Sequence, residues 1–410
     1  QTVGTNHKTT KQPFIPHKMS LAKKANTETL NKLSALATLL SSLRDDNSKK
    51  SGPGSDATTT TSENDETETR QCHLSHWRTL PDDVATAYQM MQDGAQLIKA
   101  SSTKYTLVGK INPDDGVAIN NDFEKGAETL TTAILILHDP VTGCGSSTRH
   151  YAREAGHGVL NALVALINDF LNDESADHET ATVKTGALWE MCDIVGKVPK
   201  GNRNAIRRDL FLWVGECQET FEEFKALLDL GVLAVGNESG GDFAWDDFCA
   251  GVTEDQYTEK EIEVAKASVA LVKCSRGTMN VVLKACECVG AQVSSSDDND
   301  KKQVLLNWIN ELFERAKRVG DGVTDLGVML YPPLALDVTE GCDPLSNELL
   351  AQVTLQKDSL LNVHQHILDH DDAGFIEMSE DVTEMCGKLR CATQKRFHEV
   401  MAAISKAHTI

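Results

Sequence analysis

Aromatic residues are scarce in this chain. They make up 5% of it, against a hydrophobic fraction of 40%. A β-sandwich draws on more aromatic and β-branched residues, so the scarcity points to helices packed with Leu, Val and Ala. Convincing apolar–polar alternation is also missing, which leaves no strand pattern to build a sheet from. No apolar run approaches the roughly 18 residues needed to span a bilayer, so no membrane partner is expected. Basic charge is in deficit: 40 Lys and Arg face 61 Asp and Glu, for a formal net charge of -21. Such a surface repels phosphate backbones, and direct nucleic-acid binding is not expected. Catalytic signatures are missing as well. There is no GxSxG elbow, no Walker loop, no kinase set and no HExxH, so the chain reads as a non-enzyme without a cofactor. No repeat at solenoid period appears. The 11 cysteines lack framework spacing, and an odd number reads as reduced thiols of a cytoplasmic or nuclear protein. The sequence opens on Gln1, and Met19 is a candidate initiator behind a translated leader.

What the chain does hold is amphipathic helix after amphipathic helix. Residues 1–70 read as mostly disordered, with one helix over 26–44 carrying Leu30, Leu33, Ala37 and Leu40 at helical spacing. The tract Asp45–Thr69 is Ser, Thr, Gly and acid, with too few apolar residues to offset ordering entropy. From residue 71 to 236 the spacing predicts a first bundle. Its helices are Val84–Ser101, one with the seam Phe123, Ala127, Leu130, Ile134 and Leu137, one opening at Ser146, one over Ala181–Val198, and a long one from Asn202. Residues 237–258 form an acidic strap with Phe243, Trp245, Phe248 and Tyr257. These four aromatics are the candidate partner-binding residues, whether the strap docks on its own bundle or meets a partner. Residues 259–410 predict a second bundle, with helices at Glu259–Cys288, Lys301–Val319, Leu345–Asp369 and Met378–Ala407. The expected architecture is all-α: about ten helices in two antiparallel bundles.

Three clusters invite chemistry. In NVHQHILDHDD, His366 and His370 are four apart and share a helix face, a spacing that can bind a metal. The glutamate base of a zinc hydrolase is missing, and a solvated helix end is the plainer meaning. In TGCGSSTRHYAREAGHG, Gly143, Gly145 and Ser146 resemble a phosphate cradle, but no Lys follows. That stretch reads as a helix start whose spare N–H groups are capped by hydroxyls, and where an anion can bind. Gly156 and Gly158 further on permit close helix packing. Third, DLGVMLYPPLALD sets Tyr331, Pro332 and Pro333 between two helices. The prolines end one helix and force an extended corner. The flanking leucines predict that the corner packs inward, with Tyr331 substantially buried and its hydroxyl hydrogen-bonded.

The order of these segments carries a resemblance. LGVMLYPPLAL is similar to the corner of the cyclin-D-binding family, also called GCIP or Maid. TGALWEMCDIVGKVPKGNRNAIRR resembles that family's helix, proline turn and helix restart. HYAREAGHGVLNALVALI resembles its third core helix. The acidic strap before EIEVAKASVALVKCSRGTMNVVLKA stands where the family has an acidic insertion. The resemblance runs from about Trp77 to the end. It implies two helical bundles and a regulatory adaptor that binds D-type cyclins or helix-loop-helix proteins and restrains the cell cycle or transcription. It implies no catalytic residues. The N-terminal extension and the Ser/Thr tract depart from the family pattern. A different class, a vinculin-like bundle scaffold in cytoskeletal or adhesion complexes, fits the same helices. A helix-loop-helix exchange would have to open a bundle, because faces such as Ile206–Leu228 should already be buried. An exposed groove or the acidic strap is the simpler partner site.

Overall fold

Each apolar stripe read above becomes the buried face of a helix. The computed structural model describes residues 16–43, 74–108, 113–172, 178–230, 256–334, 348–369 and 376–408. Among them are ten α-helices, one short 3₁₀ turn and no strand, so the chain is all-α. It divides into two units.

The first unit holds α1 (Pro16–Ser42), α2 (Asp82–Val108), α3 (Pro113–His138), α4 (Ser146–Asn172) and α5 (His178–Val195). α2 and α3 run antiparallel and nearly backbone to backbone at Gly94 and Gly126. Tyr105 meets Phe123 edge-on, with ring centroids 5.3 Å apart. α1 is a full wall of this bundle and not a lone helix in a disordered arm. Its stripe of Leu33, Ala37 and Leu40 is buried in the unit's core, and α1 packs on α3 and α4. Thr29 Oγ1 donates to Glu124 at 2.6 Å, and Arg153 reaches back from α4 to the carbonyl of Leu43 at 2.7 Å. The expected role of Gly156 holds: a methyl there would overlap Ile134 of α3. The Asp45–Thr69 tract lies outside the described residues.

The second unit holds residues 73–79 together with α6 (Asn202–Asp229), α7 (Glu259–Ser295), α8 (Asn299–Met329), α9 (Glu348–Leu368) and α10 (Glu380–His408). The expected division at 237–258 would leave α6 in the first bundle. The division instead falls between Lys200 and Gly201. Gly201 takes φ 79°, which a side chain rarely permits, and there the chain turns into α6. α6 buries Ile206, Leu210, Cys217 and Phe224 against α7 and α8. Glu287 of α7 ties this side together. It accepts from Arg203 at 2.9 Å and Arg207 at 2.8 Å, with Arg78 at 3.8 Å.

α7 is the centre of the unit and touches all four other helices. It starts on a reciprocal cap: the Thr258 side chain accepts from the Glu261 amide, and the Glu261 carboxylate accepts from the Thr258 amide at 2.8 Å. Around it, α8 runs past the expected stop at Val319 to Met329. Gly320 lies under Trp213 of α6 and Gly322 under Gln356 of α9. Glycine weakens an isolated helix, but here the missing side chains make room for large neighbours, and packing overrides propensity.

α9 lays polar side chains across this core. Gln356 donates to Ser275 Oγ at 2.9 Å and to the Val319 carbonyl at 3.1 Å. His364, fully buried, has Nε2 at 2.8 Å from Thr278 Oγ1. Thr278 Oγ1 already donates to the Cys274 carbonyl, so His364 Nε2 is the donor. Burial, then the charge of Arg390, pushes the His364 pKa down to about 4. Between its ordinary value near 6.5 and about 4, the unfolded chain takes up a proton that the folded chain refuses. This group's contribution is therefore present above pH 6.5 and lost as pH falls through 4, by about 3 kcal/mol in all. Denaturant titrations at pH 7.5 and 4.5 are expected to show a smaller acid loss for His364→Gln than for wild type. An equal loss would remove His364 from the account.

Candidate interaction surface

The helix directions in the second unit place one end of it around the Tyr-Pro-Pro corner. Trp213 packs on Gly320, Thr220 on Gly327 and Phe224 on Tyr331, so α6 and α8 run parallel and finish together. Arg207 pairs with Glu287 while Phe221 lies by Lys273, so α7 runs the other way and begins at that end. α9 is antiparallel to α8, with Gln352 on Gly322 and His366 on Trp308. The chain therefore leaves this end at Leu230, returns at Gln256, leaves again at Leu334 and returns at Glu348.

Two tyrosines exchange their expected roles here. Tyr257, read as a partner-binding aromatic, is fully buried, and its hydroxyl donates to the Leu330 carbonyl at 2.6 Å. It is a core residue: its ring completes the second unit's core where α7 begins. Tyr331, expected to be buried, is 45% exposed. Its ring meets Phe224 edge-on at 5.0 Å, and its hydroxyl donates to Glu223. The corner is held by its neighbours. Leu330 and Leu334 are buried, and the Leu334 amide donates to the second carboxylate oxygen of Glu261 at 2.7 Å. Pro332–Pro333 is a cis peptide, with Pro333 exposed. Glu261 thus caps α7 and pins the corner with one side chain. The T-x-x-E signature at Thr258–Glu261 was the legible half of this; the reach to residue 334 was not. Phe243, Trp245 and Phe248 lie outside the described residues.

This end presents apolar side chains among carboxylates. Leu230 is 63% exposed and Val328 70%, both in the last turns before the chain departs, beside exposed Tyr331. Glu216, Glu219, Glu222, Glu223 and Asp229 lie along the later half of α6, and Asp321 and Asp325 along that of α8. Burial, then the charges of Asp321 and Glu219, raises the Glu216 pKa. Burial also raises Asp321, with Asp325 adding to it against the opposing pull of Lys317. Acidic side chains thus outnumber the basic ones, Lys225, Lys317 and Arg318, over residues 216–229 and 317–329 of these two helices. The two segments that leave from this end are acidic in composition. Residues 231–255 hold Glu238, Asp242, Asp246, Asp247, Glu254 and Asp255 and no Lys or Arg, and residues 335–347 hold Asp337, Glu340 and Asp343 and no Lys or Arg. A cationic, amphipathic protein segment matches such a surface.

The remaining candidates do not assemble into a reaction centre among the described residues. His366 stacks on Trp308 at 5.0 Å, with Nε2 at 3.3 Å from the Trp308 carbonyl, while His370 lies outside those residues. No three-ligand metal cluster occurs among the described residues. Burial pushes the thiols of Cys192, Cys217 and Cys286 up to about 12, which keeps them protonated and poorly nucleophilic at neutral pH. No helix among the described residues is long and apolar enough to cross a membrane.

Residues 90–230 match the family model described as Grap2 and cyclin-D-interacting, N-terminal. That match runs from α2 into α6 and so crosses the division between units; the Tyr-Pro-Pro corner lies beyond it. A cyclin-D1-binding protein 1 homolog of Danio rerio is 22% identical over 311 residues, covering 73% of this chain and 84% of the relative. A homolog of the same name from Xenopus laevis is 23% identical over 244 residues, or 58% and 70%. Cyclin-D1-binding protein 1 of Bos taurus is 18% identical over 251 residues, or 59% and 65%. These relatives are named for binding and not for a reaction.

Proposed function

We propose, from the premise that this chain belongs to the cyclin-D-binding (GCIP) family, that it is a non-enzymatic regulatory adaptor. Its partner is a D-type cyclin or a helix-loop-helix regulator, and its binding restrains cell-cycle progression or transcription in the cytoplasm and nucleus. The observation that carries this reading is the acidic end of the second unit, where Leu230, Val328 and Tyr331 stand exposed among carboxylates. Apolar contact supplies affinity at such a surface, and charge supplies orientation and association rate. Free thiols support an intracellular setting: Cys192, Cys217, Cys274, Cys286, Cys288, Cys386 and Cys391 form no disulfide.

The test is a titration of the purified full chain against a purified D-type cyclin and, separately, a helix-loop-helix domain. The combined change Asp321→Lys, Asp325→Lys and Tyr331→Ala is expected to weaken binding about tenfold or more, with a shallower salt dependence. Asp300→Lys, at the opposite end of α8, is expected to leave affinity within about twofold. If wild type binds neither partner, the partner assignment fails. If wild type and the triple variant bind alike, the surface assignment fails.

A further inference from the structure

α7 is nearly enclosed by its neighbours, since α6, α8, α9 and α10 all pack on it. Between Val264 and Gly290 its exposed residues are Lys266, Lys273, Arg276, Asn280 and Lys284. They recur every three, four or seven positions and so form one stripe. Four of the five are cationic and none is acidic, in a chain whose formal net charge is -21. The stripe runs between α6 and α10. Lys273 Nζ lies 5.8 Å from the centre of the Phe221 ring of α6. On the other side Leu389 of α10 lies against Gly277, and Lys284 Nζ reaches Met385 Sδ at 3.3 Å. Apolar side chains border the charges: Val214 and Phe221 of α6, Ala267 and Ala270 of α7, and Leu389 and Ala392 of α10 are each only partly buried. Lys266 pairs with Glu263 and Lys284 with Asp381, but Lys273 and Arg276 have no ion pair among the described residues.

The segment that joins α6 to α7 has the opposite character. Residues 231–255 hold six acidic residues and no Lys or Arg, and in DFAWDDF, Asp242–Phe248, three acids interleave with three aromatics. Both ends of this segment meet helices that build the cationic face. The reach is sufficient. From Thr258 to Arg276 the helix is about 27 Å long, at 1.5 Å per residue. The eight steps from Phe248 to Gln256 and the twelve from Leu230 to Asp242 extend to about 26 Å and 40 Å. A segment tied at both ends also meets the face at an effective concentration on the order of millimolar. The other acidic connection at this end, residues 335–347, holds no aromatic residue and joins α8 to α9, neither of which borders the stripe.

We propose that the α7 stripe, with its apolar borders on α6 and α10, is the docking face for the Asp242–Phe248 stretch of the same chain. The carboxylates of Asp242, Asp246 and Asp247 pair with Lys266, Lys273 and Arg276, and the aromatic rings cover the partly exposed apolar borders. Opposite charge sets the register, and ring burial supplies the contact energy. This face is distinct from the acidic end on which the adaptor reading rests, so either can fail without the other.

Zero-length carbodiimide cross-linking of the full wild-type chain, read by peptide mass spectrometry, tests the placement. Amide links from Asp246 or Asp247 to Lys266 or Lys273 are expected. A mixture of nitrogen-15-labelled and unlabelled chains shows whose segment is joined. Links between the two labels mean that a second copy occupies the face, and they overturn the proposal. Absence of any link from this stretch to Lys266 or Lys273 overturns it as well and leaves the face to an acidic partner. Chymotrypsin, which cuts after Phe243, Trp245 and Phe248, supplies the energetic arm. Lys273→Glu with Arg276→Glu is expected to speed those cuts about tenfold, because cleavage follows the undocked population. Asp246→Lys with Asp247→Lys is expected to do the same, and the four changes together to restore slow cleavage. Equal rates in wild type and the Lys273→Glu, Arg276→Glu chain overturn the proposal. Should that chain lose helical circular dichroism, the wild-type cross-links decide alone.

Discussion

Trp77→Ala is expected to lower the stability of the second unit by about 3–5 kcal/mol, the range for truncating a buried large aromatic. The indole is 3% exposed and lies against the bare Cα of Gly290 on α7. The segment around it is anchored on both sides. Leu74 is fully buried in the same core, the Asn202 side-chain amide donates to the His76 carbonyl at 3.0 Å, and Arg78 approaches Glu287. Gly290→Ala attacks the same contact from the other side. Its added methyl would overlap the indole, which must leave its seat or push α7 away. The two changes share one contact and so are expected to be strongly non-additive. In the double variant the methyl has room that the indole vacated. Urea titrations followed by far-ultraviolet circular dichroism give all three values. A Trp77→Ala midpoint equal to that of wild type would remove the segment from the second unit's energetics.

The other large effect belongs to Gly94. An added methyl there would lie 2.7 Å from the Gly126 carbonyl oxygen and 2.9 Å from the Leu130 amide nitrogen. Both are backbone atoms of α3, so no side chain can rotate out of the way. Gly94→Ala must separate α2 from α3, and at a tightly packed contact overpacking costs about 1–3 kcal/mol or more. The upper end is expected here, because the tightness extends to Ile98 against Gly126. Gly186→Ala in α5 is the control. Nothing stands within 4 Å of the methyl it adds, and helix propensity alone predicts a gain of about 1 kcal/mol. Thermal melts of the two alanine variants should therefore move in opposite directions. A Gly94→Ala melt at or above that of wild type would mean that the helices yield freely.

Periodicity made the helices legible, because an amphipathic stripe is a local signal. Phe123, Ala127, Leu130, Ile134 and Leu137 were read as one face and form one buried face. What stayed hidden was which stripe meets which. Nothing local tells α6 to join α7 and α8, since Ile206, Leu210 and Phe224 would suit any apolar neighbour. The acidic strap looked like a boundary because composition changes there, whereas Gly201 carries the change of unit in a single backbone angle. The burial of Trp77 had no local signal, because the groove it fills lies on a helix more than 200 residues later. The tyrosines show the same limit. Tyr331 has apolar neighbours and Tyr257 polar ones, yet burial of Tyr257 and exposure of Tyr331 depend on Leu330 and Glu223, which no spacing rule connects. The expected end of α8 at Val319 fell short at Gly320 and Gly322 for an equally local reason. The bulky residues they accommodate come from α6 and α9.

The placement of Trp77 also bears on how the protein is made. A nascent chain leaves the ribosome in order, and Gly290 follows Trp77 by 213 positions. At about 5–20 residues per second, the indole waits roughly 10–40 s before its seat exists. During that interval the intervening helices α2–α5 can fold, while the apolar residues Leu74 and Trp77 stay solvent-exposed on the growing polypeptide. Leu74 and Trp77 are thus a stretch that a holding chaperone would recognise during synthesis and lose once α7 has emerged.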